Sequence, residues 1–136
     1  MQNSCTWKDL MSDLEMKEKF ETEYPAYQPD LAAAENLKFL MKGKKTTVVL
    51  GKWCSDSQLQ VPRFYKVLGA AGIDEADVTL ICVDEMKKAA NGLIDNLHIE
   101  HVPTFIFSAN NKEIGRITES PLATLENDMV TILENK

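Results

Sequence analysis

Cys54 lies in the pentapeptide Trp53-Cys54-Ser55-Asp56-Ser57, which follows the β-branched run Thr46-Thr47-Val48-Val49-Leu50 and opens a segment with helical spacing. A cysteine at a strand-to-helix junction sits beside unpaired N–H groups and the positive end of the helix macrodipole, and both stabilise a thiolate. A free thiol with a pKa of about 8.5 is only slightly ionised at neutral pH, whereas a pKa of about 7 would ionise roughly half. Asp56 acts in the opposite sense, since a carboxylate in the same turn disfavours the thiolate unless it points to solvent. Ser57 can donate its hydroxyl to the sulfur, but it stands where a second cysteine would complete a Cys-x-x-Cys redox pair. A lone thiolate can attack a disulfide and form a mixed disulfide. Ser57 cannot then expel the product, because an alkoxide is not available at neutral pH. Release needs an external thiol or a cysteine elsewhere in the chain.

The other two cysteines, Cys5 and Cys82, are widely spaced, and an odd total of three matches neither a disulfide framework nor a zinc pattern. Cys5 is the one conceivable internal partner for Cys54, against the plainer reading of an inert tail thiol. Cys82, inside the apolar run Val78-Thr79-Leu80-Ile81-Cys82-Val83, reads as core. His98 and His101 are too few for a metal site, so neither metal nor cofactor is expected. A net charge of -6, with acids spread along the chain, argues against nucleic acid and against an anionic membrane surface. No stretch approaches a membrane span, and the opening residues lack the basic start and apolar block of a secretory signal. The expectation is a cytoplasmic monomer.

The 136 residues suit one domain, with a helical extension over residues 1–43 and a mixed strand–helix part over 44–136. In the extension, Thr6 and Asp9 resemble a capping box ahead of Trp7, Leu10, Met11 and Leu14 at helical spacing. Pro25 and Pro29 break the chain, and Asp30 caps a second helix that Gly43 stops. Beyond it, Thr46 to Leu50 predicts a strand buried on both faces. Ser55 to Ala70 predicts a helix kinked at Pro62, and Val78 to Val83 a second buried strand. A short helix is expected over Ala89 to Leu97. Thr104 to Phe107 and Glu113 to Ile117 form a hairpin about Ala109-Asn110-Asn111-Lys112. Ser120-Pro121 would start a last helix that buries Leu122, Leu125, Met129, Ile132 and Leu133. A strand–helix–strand step needs a parallel crossover, and the hairpin must be antiparallel. A small mixed sheet flanked by helices follows.

From Thr46 onward the chain resembles the thioredoxin-like family. Four features carry the resemblance: Trp53-Cys54 after the first strand, Pro62 within the next helix, Val83-Asp84 ending the second strand, and Val102-Pro103-Thr104-Phe105 before the hairpin. The pentapeptide is similar to the Trp-Cys-x-Asp-Cys site of a bacterial subgroup, with Ser57 in place of the last cysteine. The resemblance implies an α/β thioredoxin-like fold whose four-stranded mixed sheet carries two extra N-terminal helices in place of the first strand. It further implies that Pro103 is cis and faces Cys54, that Val102 offers its backbone to an extended substrate, and that Trp53 shields the sulfur. It places His101 at the rim of the groove, as a modulator of the thiol beside Asp56 or as a solvated loop residue. Val48 stands where many relatives have a buried aspartate, and Thr118 near a position often occupied by glycine.

Three functions compete on these grounds. The first is a monothiol Cys-x-x-Ser redox protein, with Cys54 and Ser57 at the reaction centre and Trp53, Val102 and Pro103 binding substrate. Its partner would be a thiol- or disulfide-containing protein or a low-molecular-weight thiol. The second is a redox-inactive binding module that uses the groove or the Trp7 helical face. The third, a glutaredoxin-like monothiol protein, lacks the Cys-Gly-Phe-Ser type of motif.

Overall fold

A computed structural model describes residues 5–84 and 97–134. Three helices open the chain: α1 (Trp7–Ser12), α2 (Leu14–Ala26) and α3 (Leu31–Leu40). The capping box at Thr6 and Asp9 forms as the sequence predicts. The extension nevertheless has three helices where two are expected. The side chain of Asp13 accepts from the Met16 N–H and starts a new helix, which breaks the run from Trp7 to Leu14. Pro25 does not end α2 in advance but lies in its last turn.

β1 (Lys45–Leu50) pairs in parallel with β2 (Val78–Cys82) and antiparallel with β3 (Thr104–Ala109), which pairs antiparallel with β4 (Lys112–Thr118). The strand order β2-β1-β3-β4, with α4 (Ser55–Ala71) between β1 and β2, gives a thioredoxin-like α/β fold with a mixed four-stranded sheet. The hairpin turns on Asn110 and Asn111 alone, both at positive φ, as a two-residue turn of the type I′ kind requires. Ile114 is the extra residue of a β-bulge in β4. The expected helix over residues 89–97 lies outside the described residues except at Leu97.

The last helix, α5 (Leu125–Glu134), starts later than Ser120-Pro121 suggests. The Asp128 carboxylate accepts from the N–H groups of Leu122 and Ala123 and holds them in a turn, while Thr124 Oγ1 accepts from Asn127 N and caps the helix. Leu122, expected inside, is fully exposed for that reason. Gly115 of β4 lets α5 approach, since a Cβ there would stand 2.7 Å from Ile132 Cγ2.

The strands alternate between two apolar clusters. Val48, Leu50, Leu80, Phe105 and Phe107 face the larger one, which also takes Leu10, Met16, Phe20, Leu37, Phe64 and Met129 from the helices. Each large apolar side chain buried this way contributes roughly 2 kcal/mol, so the N-terminal helices share the core of the sheet. Val49, Ile81, Val83 and Val102 form the smaller cluster.

Candidate functional site at Cys54

Cys54 is the N-cap of α4 and is partly exposed. Its N–H donates to Gly51 O (3.0 Å) and its carbonyl accepts from Gln58 N (2.9 Å), so the backbone turns from loop to helix at this residue. The side chain makes no cap bond. It leaves the helix free and directs Sγ at Val102 O, 3.5 Å away. The Val102–Pro103 peptide bond is cis. The sulfur packs against the smaller apolar cluster, which includes Val102.

Two polar residues of the first helical turns hold the loop from beneath. Ser57 is fully buried, and its Oγ accepts the Gly51 N–H at 3.1 Å. Its Oγ thus supports the loop backbone, and no hydrogen bond joins it to the sulfur among the described residues. Gln58, also buried, donates from Nε2 to Lys52 O at 2.8 Å. Trp53 Nε1 donates to Val83 O (3.0 Å), which ties the site to the end of β2. The indole is 38% exposed and lies so close over Gly51 that a Cβ there would stand 2.6–2.8 Å from the ring. Glycine at position 51 is therefore a steric condition for this seat of Trp53.

Val48 is fully buried, so the site has no acidic side chain beneath it at that position. Asp56, in the first turn of α4, is partly exposed. His101 is exposed, and its carbonyl accepts from Thr104 Oγ1 at 2.6 Å just before β3. Thr118 pairs with Thr104, and Glu119 N donates to Pro103 O (2.7 Å), which fixes the proline loop to β4. Cys54, Trp53, Val102 and Pro103 come together at one corner, with Ser57 as a structural support below them. No group of three or more His, Cys, Asp or Glu able to hold a metal ion occurs among the described residues.

Cys5 and Cys82, expected as a tail thiol and a core thiol, are instead joined in a disulfide across a separation of 77 residues. Cys5 is buried, not a loose tail thiol. Both bridge residues pack on the larger cluster, whereas Cys54 packs on the smaller one. The bridge therefore sits across the sheet from Cys54, and Cys5 is already bonded to another sulfur.

Sequence reasoning also missed Glu126. It is buried in α5, where its carboxylate accepts from Tyr27 Oη (2.7 Å) and Asp30 N (2.8 Å). Burial, reinforced by Glu126, raises the Tyr27 pKa well above the usual phenol range. The Arg63 guanidinium lies 5.2 Å from the same ring and bonds Glu23 of α2. These contacts lock the helical extension to α4 and α5. The two Glu126 bonds join residues 96 and 99 positions apart, which no local pattern signals.

No protein-family profile and no curated protein sequence matches this chain. Solved structures do resemble it. A protein of unknown function from Pseudomonas aeruginosa superposes with a TM-score of 0.63 at 14% identity, covering 96% of this chain and 98% of that one. An HIV epitope-scaffold protein superposes with a TM-score of 0.66 at 14% identity, covering 93% of this chain and 87% of that one. At this identity the likeness is one of fold, and its extent takes in the N-terminal helices as well as the sheet. No helix among the described residues is long and apolar enough to cross a membrane.

Proposed function

We propose that the chain is a thioredoxin-like thiol redox protein of the bacterial Trp-Cys-x-Asp-Cys type that works through Cys54 alone. The observation that carries this reading is the free thiol of the partly exposed residue Cys54 at the N-terminus of α4, with Sγ 3.5 Å from Val102 O beside a cis-proline. The Cys54 thiolate attacks one sulfur of a substrate disulfide. A mixed disulfide forms, and the other substrate sulfur leaves as a thiolate that takes a proton from water. An external low-molecular-weight thiol, glutathione for example, then attacks the mixed disulfide. Its sulfur bonds to the substrate or to Cys54, and a second equivalent completes the exchange. In sum, two external thiols are oxidised to one disulfide and one substrate disulfide is reduced to two thiols. Val102 and Pro103 would orient an extended disulfide or thiol partner, and Trp53 would cover one side of the sulfur. Ser57 serves by holding the Gly51 loop.

The test is reduction of a synthetic disulfide peptide by glutathione, with this chain, Cys54→Ser and Ser57→Cys compared. Turnover by the chain and its loss in Cys54→Ser support the proposal. Turnover only in Ser57→Cys overturns it and favours a redox-inactive binding module. That second reading draws on the burial of Ser57 and its bond to Gly51, a site assembled without a second sulfur. The cytoplasmic expectation rests on the opening residues and on the lack of a membrane-length apolar stretch. The Cys5–Cys82 bridge favours an oxidising compartment instead, because cytosolic thiols are kept reduced.

A further inference from the structure

On the helical side of the molecule, away from Cys54, a cavity of about 500 Å³ opens between α1, α2 and α4. Its size is that of a small-molecule site. Its walls are aromatic. The Trp7 ring meets Phe20 and Tyr65 edge-on, with centroids 4.8 Å apart in each pair, and Tyr24 closes the side. Trp7 and Tyr24 keep 42% and 37% of their surface exposed, so the aromatic lining is reachable from solvent.

The charged residues in the lining are both acids. Glu21 and Glu75 line the cavity, and among the described residues no lysine or arginine does. Neither carboxylate forms an ion pair among the described residues. The field of Glu75 reaches Tyr65, whose phenol is raised above its ordinary range by burial first and by Glu75 second. Outside the lining, Lys66 Nζ lies 4.7 Å from the Tyr24 ring centroid, so one aromatic face already holds a cation. Aromatic rings attract cations through the quadrupole, and the two carboxylates add to the same potential. A neutral apolar ligand would find the rings but make no use of the acids. An anion would be repelled.

We propose that this cavity is a binding site for a small organic cation with an apolar body, an aromatic or alkyl amine or quaternary ammonium, held by Trp7, Phe20 and Tyr65 and by the carboxylates of Glu21 and Glu75. The site is independent of Cys54 and of the thiol chemistry proposed above.

The experiment uses the whole chain with benzyltrimethylammonium as the probe and neopentylbenzene, its neutral carbon isostere, as the control. The readout is the pair of indole N–H signals in proton–nitrogen spectra, since the protein has two tryptophans. The Trp7 signal is expected to shift saturably with the cation while the Trp53 signal stays in place. Glu21→Gln with Glu75→Gln is expected to weaken binding on the order of tenfold, and the neutral isostere to bind at least as weakly. Both substitutions are on the surface, so folding is checked by the unchanged remainder of the spectrum. No saturable shift, equal binding of the isostere, or binding indifferent to the double substitution would each overturn the proposal.

Discussion

Two sulfur sites stand at the ends of neighbouring strands, and they have opposite fates. Leu50 and Cys82 are register partners in β1 and β2; Cys54 lies just beyond the first and Cys82 ends the second. Yet Cys54 turns to the face of Val49, Ile81 and Val102 and stays a free thiol. Cys82 turns to the other face, meets Cys5 ahead of α1, and is bridged. Cys82 takes its face from the alternation of side chains along β2, whereas Cys54, beyond the end of β1, takes its face from the loop and the start of α4 that carry it. What distinguishes the free thiol from the bridged one here is the side of the sheet and what each side has packed on it.

The sharpest test of this division is Cys54→Ser, which is expected to abolish mixed-disulfide formation while leaving the unfolding midpoint in place. Mass spectrometry after exposure to an excess of a disulfide peptide would read the first, and thermal melting the second. Next in size, Cys5→Ser with Cys82→Ser removes a cross-link closing a loop of 77 residues. It is expected to cost about 4 kcal/mol in denaturant unfolding. The alkylation rate of Cys54 is expected to stay within about twofold, the scale of a minor surface effect; a larger change would show that the two sulfur sites are coupled.

A smaller effect probes the link between the two corners. Gly51→Ala forces the Trp53 indole off its seat, and overpacking of this kind costs about 2 kcal/mol. The accompanying shift in Trp53 fluorescence, with no change at Trp7, would assign the damage to the Cys54 corner. Glu126→Gln tests the contrasting helical side. It weakens two bonds to a buried carboxylate and is expected to cost about 1 to 2 kcal/mol.

The smallest effect is one of pH. Tyr27 and Tyr65 are both raised in the folded chain, chiefly by burial. Their contribution is complete below the unfolded phenol value of about 10 and is lost as pH rises above it, because the unfolded chain ionises first. Stability measured from pH 9 to 11 (roughly the span about that value) is therefore expected to fall. The fall is expected to flatten in Tyr27→Phe. An equal slope in that variant would count against Tyr27.

The sheet was legible because its signals are local. Thr46 to Leu50 alternates no polar face, Asn110-Asn111 suits a turn at positive φ, and Ser55 onward keeps a helical stripe. The helix starts were less so. Asp13 and Thr124 cap helices as well as Asp30 does, but they compete with nearby candidates, and only the packing of Met16 and the grip of Asp128 decide. The Cys54 corner could be anticipated from its residue order. The supports beneath it could not, because Ser57 reads as a partner of the sulfur and the grip of Ser57 and Gln58 on the loop exists only once the loop folds over them. Long-range pairings left no trace at all. Glu126 reads as a surface acid and Cys5 as a tail thiol, since each is defined by a partner far along the chain.

The Cys5–Cys82 bridge also fixes what a protease can release. The chain from residue 5 to residue 82 is a closed covalent ring that contains α1 to α4, β1 and β2. A single cut anywhere inside it, in the Gln28-Pro29 connection for example, yields two peptides that remain one molecule and migrate as one until a reductant is added. A cut at the Asn110-Asn111 turn falls outside the ring and frees a C-terminal piece that carries β4 and α5. The same nick count thus gives different fragments depending on which side of Cys82 is struck.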